Sequence, residues 1–265
     1  MCACACVRVR VKGSGGDESA SLARWWVHNG FVNIDEEKMS KSLGNFFTIR
    51  EILERYHPMA LRLFLLGTHY RSAINFSDAL IEEASARCYY LYQTLADCEE
   101  VVGPGRKGGD GGKEGEEGEG WEDADALVAS CMAALNDDLA TQNALANVSP
   151  ALKAMNELMH TKKGRKAPHR ERALRGYQRA LGDVMGTLGL TTSDPDAVVC
   201  EMKLLALRRC GKTEEDLASI IALRQRARKE KDFATSDQLR DDLMRVGITL
   251  LDSPQGTEWR PVSIV

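Results

Sequence analysis

The chain has 265 residues, which is enough to bury a sizeable core and to form two compact units. Its 43% hydrophobic and 28% charged residues are typical of a soluble protein, and no apolar run is long enough for a membrane span, which excludes a membrane-spanning protein. The net charge of −4 argues only weakly against a nucleic-acid partner, because an acidic segment can hide basic surfaces elsewhere.

The eight cysteines are scattered without zinc-finger spacing, and three of them alternate with alanine near the N-terminus. Cys88 and Cys131 fall on apolar helical faces, which predicts buried free thiols. This pattern is typical of a reducing compartment, so we expect a cytoplasmic protein, with an organellar one as the alternative. The sequence predicts no metal site.

Residues 1–21 contain no apolar core of the length of a secretory signal, and we expect them to be disordered. A transit piece, or lipidation or metal capture at the cysteines, are the alternatives. An aromatic and apolar stretch follows, in which Asn29-Gly30 is a turn signal and the next residues alternate like a strand. His28, beside two tryptophans, is more typical of a packed residue than of a ligand.

The most informative stretch is Lys38-Met39-Ser40-Lys41-Ser42, a short polar segment between an apolar run and a helix-start signal. Its two lysines can place ammonium groups against negative charge that develops on phosphate oxygens in a transition state. The serines and the glycine that follows would let such a loop close over a nucleotide and reopen. From the spacing alone, a surface loop with two solvated lysines remains the alternative.

Helix signals follow this stretch. Thr48 precedes Glu51 by three residues, the pattern of a capping box, and predicts a short helix that ends near His57. Pro58 suits the first turn of a second helix, residues 59 to about 66, whose apolar composition predicts burial. After a cap at residues 77–78, a long helix is predicted with one packed face. That face consists of Leu80, Ala84, Cys88, Leu91 and Leu95.

Residues 103–123 are rich in glycine and glutamate, and we expect a disordered, solvated insertion there. Three helical patterns follow. Their apolar faces are Ala126, Leu127, Met132 and Leu135; then Leu145, Val148, Leu152, Met155 and Met159; then Leu174, Tyr177, Leu181, Val184 and Leu188. A basic turn, residues 162–172, separates the last two, and both a solvated loop and a phosphate contact remain open for it.

The last segment has mixed α and β signals. Thr213 and Asp216 predict the start of a helix that continues to about Lys229. A second helix is predicted over residues 233–245, because Gly247 suits the position just after a helix end. Residues 248–251 and 258–260 then have the pattern of two strands joined by a turn. We therefore expect a small α+β unit at the end of a helical protein.

Three stretches, residues 26–32, 37–50 and 64–72, together resemble cysteinyl-tRNA synthetases of the plant-like eukaryotic kind, which are class I aminoacyl-tRNA synthetases. Shorter stretches agree in order and spacing, namely residues 137–139, 160–164 and 256–261. The resemblance covers the chain from about residue 22 to its end, apart from the acidic insertion. It identifies the C-terminal portion of such an enzyme.

The resemblance implies a mainly α fold with three parts. These are a remnant of the class I catalytic α/β domain bearing the lysine loop (the KMSKS loop of the family), an antiparallel helical bundle, and a small α+β anticodon-binding module. The implied boundaries are 1–21 for the disordered segment, 22–57 for the end of the catalytic domain, 58–102 for the start of the bundle, 103–123 for the insertion, 124–192 for the rest of the bundle and 193–265 for the terminal module.

The resemblance also implies a function, cysteine–tRNA ligation: the activation of cysteine with ATP and Mg2+, and its transfer to tRNA-Cys. Lys38 and Lys41 would be catalytic, with Lys41 contacting pyrophosphate, and Met39, Ser40 and Ser42 would complete the ATP loop.

Three residues would read the GCA anticodon: Arg228, Asp237 and Asp252. The chemistry is reasonable, because a guanidinium can bind a guanine edge and a carboxylate can accept from a cytosine amino group. RNA readers form such contacts with unstacked loop bases. For each residue taken singly, the alternative is an ordinary surface charge without a role in recognition.

Two features of the family are not found in the 265 residues: the histidine-glycine-histidine signature of the ATP site, and the cysteine, histidine and glutamate ligands of the zinc site. We therefore expect the chain alone not to form adenylate. The alternative is a non-catalytic tRNA-binding module that retains the lysine loop as a relic. A bacterial ligase that joins cysteine to a sugar amine shares the loop, but residues 228–260 argue against it.

Overall fold

The computed structural model describes residues 4–5, 27–34, 37–38, 48–103, 122–253 and 256–263. Within these residues the protein is mainly α-helical, as predicted, and short strands lie towards both ends. Most of the two segments predicted to be disordered lies outside them, but Cys4–Ala5 forms β1, which pairs antiparallel with β2, Val27–His28. Among the described helices, none combines the length and hydrophobicity that a membrane span requires.

A three-stranded sheet forms the first part of the fold. Its strands are β3, Val32–Ile34; β4, Glu37–Lys38; and β5, Ile74–Phe76. β3 lies in the middle, antiparallel to β4 and parallel to β5, so the strand predicted after Asn29-Gly30 is confirmed. The parallel pair is joined by a crossover that contains two helices, which is the connection typical of α/β units.

The crossover helices are α1, Ile49–Arg55, and α2, Pro58–Leu66. Thr48 caps α1 and Pro58 occupies the first turn of α2, both as predicted. The prediction that α2 is buried is wrong for part of the helix, because it packs on its neighbours with one face only. Ala60 and Leu63 are buried on that face, whereas Leu65 is exposed.

Four helices build the bundle that follows: α3, Asp78–Val102; α4, Glu122–Asn136; α5, Thr141–His160; and α6, Arg170–Leu188. Their facing sides share one continuous apolar core. Every residue predicted for the apolar faces of α5 and α6 is buried in it, as are Cys88 and Cys131. Each large apolar side chain buried in this way contributes about 1.5–3 kcal/mol relative to exposure.

The predicted faces of α3 and α4 are correct only in part. Leu80 is 40% exposed, and its neighbour Ile81 is buried instead, against Tyr56 and Phe76. The first turn of α3 packs on the small sheet and its flanking helix, so a different face is covered there than in the bundle. On α4, Leu127 is buried and Met132 is exposed.

Helix α7, Pro195–Arg209, was not predicted from the sequence. Val198, Val199 and Met202 join the bundle core, whereas Leu207 joins the core of the terminal module. A helix that serves two cores spreads its apolar residues over more than one face, so no single stripe marks it in the sequence.

After α7, the described residues form two helices and a hairpin, and the name terminal module is used below for this part alone. Its elements are α8, Glu214–Lys229; α9, Phe233–Arg245; β6, Ile248–Ser253; and β7, Gly256–Pro261. All four elements agree with the prediction, and α8 begins at the Thr213 capping box. The core is small: Leu217, Leu243, Ile248 and Leu250 pack around Leu207 of α7.

Candidate nucleic-acid interface

The lysine loop follows directly from the small sheet. The backbone of Lys38 lies in β4, opposite Asn33 of β3. The side chain of Lys38, and all of Met39, Ser40, Lys41 and Ser42, lie outside the described residues. The segment therefore begins at a strand and leads towards α1, while the roles predicted for its lysines stay predictions.

The start of α1 is fixed by the capping box. The N–H of Thr48 donates to the Glu51 carboxylate at 2.7 Å, and the N–H of Glu51 donates to the Thr48 hydroxyl at 3.2 Å. The Thr48 hydroxyl also donates to the Glu51 carboxylate, at 2.8 Å. The bonds from the Thr48 N–H and from its hydroxyl lower the pKa of Glu51, so the carboxylate is charged at neutral pH beside the helix N-terminus. Two N–H groups that a helix start would leave unpaired are thereby satisfied.

A polar cluster links the loop before β5 to the corner between α4 and α5. Asp138 accepts hydrogen bonds from the Tyr70 hydroxyl at 2.7 Å and from Arg71 Nε and Nη2 at 2.7 and 3.0 Å. The bonds from Arg71 and then from Tyr70 lower the pKa of Asp138 to about 2. Asp138 has a φ of 51°, a left-handed conformation that aspartate tolerates better than most residues.

The same loop contacts the turn before β3. The N–H of Gly30 donates to the Tyr70 carbonyl at 2.6 Å. A Cβ at residue 30 would lie 2.1 Å from the carbonyl oxygen of Ser72, so only glycine fits there. The loop before β5 thus contacts both the turn before β3 and the corner between α4 and α5. The prediction had included these stretches in the resemblance but had named no site residue in them.

Polar contacts tie the junction of α1 and α2 to α7. His57 Nδ1 accepts from the N–H of Met59 at 3.2 Å, so in the neutral ring Nε2 carries the proton and donates to Glu201 at 3.1 Å. Burial lowers the pKa of His57, which favours this neutral form. Near the other end of α7, Arg209 donates to the carbonyl of Arg55 at 2.8 Å.

The terminal module contains a network around Asp252, the third predicted anticodon residue. Arg224 donates to both carboxylate oxygens, with Nη1–Oδ1 at 2.8 Å and Nη2–Oδ2 at 2.9 Å. Arg228 Nη1 donates to Oδ2 at 2.5 Å, and the Thr257 hydroxyl donates to Oδ1 at 2.9 Å. The bonds from Arg224 contribute most to holding the pKa of Asp252 far below its usual value.

The three predicted anticodon residues therefore lie in the same module, but only two of them touch. Arg228 contacts Asp252, whereas Asp237 lies exposed on α9. The Asp252 hydrogen bonds raise the pKa of Arg224, and the charge of Asp237 adds a smaller effect. Arg224 was missed by the prediction, although it precedes Arg228 by four residues and so shares a helix face with it.

The arrangement presents a guanidinium to solvent beside a carboxylate. The side chain of Arg228 is 48% exposed, and that of Arg224 only 7%. An exposed guanidinium held in place can donate two parallel hydrogen bonds to a guanine edge or to a phosphate. Nearby, Lys203 Nζ of α7 lies 5.4 Å from the centroid of the Trp259 ring, a contact between α7 and the terminal module.

The basic turn between α5 and α6 has a structural role for two of its side chains. Arg165 Nε donates to the Met159 carbonyl at 3.0 Å, and Arg170 Nε donates to the Leu158 carbonyl at 2.9 Å. These carbonyls lie in the last turn of α5, where helix carbonyls lack intrahelical partners. The lysines of the turn are exposed, and their contact with phosphates stays a prediction.

The described residues do not fit a zinc site. Within the part of the chain that the structure describes, no group of three or more His, Cys, Asp or Glu side chains lies close enough to hold a metal ion. Burial raises the pKa of Cys88 and of Cys98 to about 12, so both remain thiols in the bundle core. A thiol in that state is a poor metal ligand.

Comparison with known proteins identifies both ends of the chain. Residues 14–86 match the family model described as the class I (C) tRNA synthetase catalytic domain. Residues 212–260 match the model of the cysteinyl-tRNA ligase anticodon binding domain. The second match covers the terminal module from the start of α8 to β7, and so contains Arg228, Asp237 and Asp252.

Curated relatives match nearly the whole chain. A chloroplastic/mitochondrial cysteine–tRNA ligase of Arabidopsis thaliana is 47% identical over 242 residues, which are 91% of this chain and 43% of the relative. A cysteine–tRNA ligase of the bacterium Syntrophotalea carbinolica is 40% identical over 248 residues, 93% of this chain and 50% of the relative. The chain thus spans about half of these relatives or less, and the predicted resemblance is confirmed.

Proposed function

We propose that this chain, a relative of the cysteine–tRNA ligases, supplies the lysine loop and the tRNA-binding part of such an enzyme. The reaction would be the ATP-dependent activation of cysteine and its transfer to tRNA-Cys. The observation that supports this best is the exposed Arg228, held by Asp252 in a module that matches the family's anticodon-binding domain. A small sheet that leads into the lysine loop adds support at the other end.

The lysine loop would act on ATP. Lys38 and Lys41 would place ammonium groups against the charge that develops on the phosphates, with Mg2+ bound to the nucleotide. Met39, Ser40 and Ser42 would complete the loop. A strand on one side and a capped helix on the other would give the loop fixed ends, about which it could close and reopen.

Arg228 would read the anticodon, and its loss should weaken binding selectively. We would measure the affinity of the purified chain for a tRNA-Cys transcript and for the same transcript with an unrelated anticodon, by fluorescence anisotropy. Arg228→Ala should lower the preference for the GCA anticodon by about 1–3 kcal/mol, the contribution of one bidentate base contact. Arg226→Ala is the matched control, because it removes the same charge from an exposed position of α8.

Two results would contradict this role of Arg228. One is a wild-type chain that binds both transcripts equally. The other is an Arg226→Ala variant that loses as much preference as Arg228→Ala. Binding should also weaken with increasing salt, because lysines and arginines that contact phosphates displace counterions.

A polypeptide of these 265 residues alone is proposed not to form cysteinyl-adenylate. Neither the histidine-glycine-histidine signature nor the zinc ligands of the family are among its residues. The test is ATP–pyrophosphate exchange with cysteine, using Lys41→Ala as the control for background. Exchange that exceeds this control clearly would overturn the statement.

The alternative is a tRNA-binding module without adenylation activity of its own. This alternative predicts selective binding of tRNA-Cys with no ATP–pyrophosphate exchange. Adding a separately purified N-terminal half of a cysteine–tRNA ligase distinguishes the two functions. Recovery of exchange in the mixture, lost again in Lys41→Ala, supports the enzymatic role, and its failure supports the binding module.

The compartment is proposed from the relatives. Three matches carry names of plant chloroplastic/mitochondrial enzymes, and others are bacterial proteins. The similarity to the plant enzymes favours the organellar alternative over the cytoplasmic one that cysteine usage suggested. Fractionation of cells with an antibody against the chain would decide between them.

A further inference from the structure

We propose that Arg224 is a positioning residue of the anticodon site: through Asp252 it orients Arg228, which makes the base contact. This inference rests on the proposed function. It adds to the predicted role of Asp252 that of holding the reading group, Arg228, in place.

The first observation is that the Asp252 carboxylate is fully engaged. It accepts four hydrogen bonds, two from Arg224, one from Arg228 and one from Thr257. A carboxylate has about four lone-pair directions, so a base could be accepted only by displacing one of these donors. The fork of Arg224, which binds both oxygens, is the hardest to displace because its geometry matches the carboxylate.

The second observation is the contrast between the two arginines. The Arg224 side chain is buried, whereas that of Arg228 is half exposed on the same face of α8. Arg228 uses one N–H on Asp252, and a guanidinium carries five. Arg228 can therefore bind Asp252 and a ligand together, while Arg224 is enclosed and can act only through its neighbours.

The third observation concerns the free-energy cost of burying the Arg224 side chain. Its Nε is buried and makes no hydrogen bond within the described residues. A buried donor left unpaired is unfavourable, and an apolar side chain of similar size would fill the space without that cost. Arg224 is therefore a poor choice for packing alone, and the fork on Asp252 is the feature that an apolar residue could not supply.

The charges support the same assignment. Arg224 and Arg228 are four residues apart on one helix face, where like charges repel. Asp252 accepts hydrogen bonds from both, so its negative charge offsets the repulsion between the two guanidinium groups. Thr257, which also donates to Asp252, receives a hydrogen bond from Gln225 Nε2 at 3.4 Å, and so links the hairpin to α8 again.

The test compares affinities of the purified 265-residue chain for the GCA transcript and for the anticodon-swapped transcript. Arg224→Gln should lower the ratio of the two affinities about tenfold, within the range for one bidentate base contact. Its affinity for the swapped transcript should stay unchanged. Arg226→Gln is the matched control and should leave the ratio unchanged. Asp252→Asn should lower the affinity ratio as much as Arg224→Gln does. The double variant should lower it no further than either single variant, because both residues act by orienting Arg228.

The outcomes separate this inference from the proposed function. A wild-type chain without anticodon preference would overturn both. A preference that survives in Arg224→Gln would overturn this inference alone, and so would an equal loss of affinity for both transcripts. Arg224→Lys keeps the charge but replaces the fork with a point charge. If Arg224→Gln does not fold, the same two affinities are measured for Arg224→Lys. Its ratio of affinity for the GCA transcript to affinity for the swapped transcript should also be reduced, and an unchanged ratio would overturn the inference.

Discussion

The helical bundle and the terminal module are stabilised in different ways. The bundle has one continuous core in which the apolar faces of α3, α4, α5 and α6 meet. The module has a core of a few side chains, and its hairpin is tied to α8 by the network around Asp252. Apolar burial is non-directional, whereas a forked ion pair fixes the orientation of its members.

This difference follows the tasks proposed for the two regions. A bundle that only has to hold its ends in place can rely on packing. A surface that discriminates one ligand from another needs polar groups at fixed positions, and these give less net stability than the same area of apolar contact. We therefore expect the bundle to set the stability of the chain and the module to be its locally weaker part.

The largest expected effect is in the bundle. Leu181→Ala removes a side chain that is completely buried in α6, and should lower the free energy of unfolding by about 2–5 kcal/mol. Urea denaturation followed by far-UV circular dichroism measures this change. Met132→Ala, at an exposed position of α4, should change the free energy by less than about 0.5 kcal/mol. Equal effects of the two would contradict the role of the shared core.

A smaller and more local effect is expected in the module. Leu243→Ala opens the small core and should cost about 2–4 kcal/mol, confined to the module. Hydrogen exchange followed by mass spectrometry should show faster exchange in α8, α9 and the hairpin, with α5 and α6 unchanged. The adjacent Met244→Ala, whose side chain is exposed, is the control. Faster exchange throughout the bundle would show that the two regions unfold as one.

The contact of His57 with α7 gives a prediction about pH. The pKa of His57 is lowered by burial, so the unfolded chain binds a proton at higher pH than the folded chain does. Stability should therefore fall as the pH drops below about 6.5, the pKa of an ordinary histidine. His57→Ala should also remove the cap of α2, which costs about 0.5–2 kcal/mol.

His57→Asn keeps a cap acceptor without the titrating ring. It should recover part of the stability at pH 7.5 and lose the additional pH dependence between pH 7.5 and 5.5, measured as urea midpoints. A wild-type midpoint that rises on acidification would disprove this account of His57.

The smallest effect is expected at Asp138, which is exposed. Its pKa is lowered to about 2 by Arg71 and Tyr70, so its stabilising effect is present above pH 4 and is lost as the pH falls from about 4 towards 2. Asp138→Asn should lower the melting temperature slightly at pH 7 and converge with the wild type near pH 2. Asp137→Asn is the neighbouring control. A difference that persists at the acid end would contradict the ion pair as its cause.

The sequence predicted the elements that one local pattern determines. Thr213 with Asp216 fixed the start of α8, and the repeating apolar spacing of Leu174 to Leu188 described α6, because each depends on residues within a few turns. The face of α3 was misjudged at Leu80, since the partner of its first turn is the small sheet and not the bundle. No local pattern contains the identity of that partner.

In the candidate site, too, single residues were predicted from the sequence, whereas contacts between residues far apart in the chain were not. Resemblance supplied Arg228, Asp237 and Asp252 one by one, but it did not show that Asp252 is occupied by Arg224. These two residues are separated by 28 positions, and their side chains meet only in the folded module. The hydrogen bonds of Asp138 with Tyr70 and Arg71, which lie 68 and 67 positions away in the chain, were missed for the same reason.

Helix α7 has a consequence for the geometry of the proposed tRNA-binding surface. It is one uninterrupted helix of 15 residues, about 22 Å long. One end packs in the bundle core and the other in the core of the module, so its length sets the distance between the two. Inserting a single residue in its middle would advance the module by about 1.5 Å and turn it by about 100° around the helix axis. The number of residues in α7 therefore sets the orientation of the module, and of Arg228 within it, relative to the bundle.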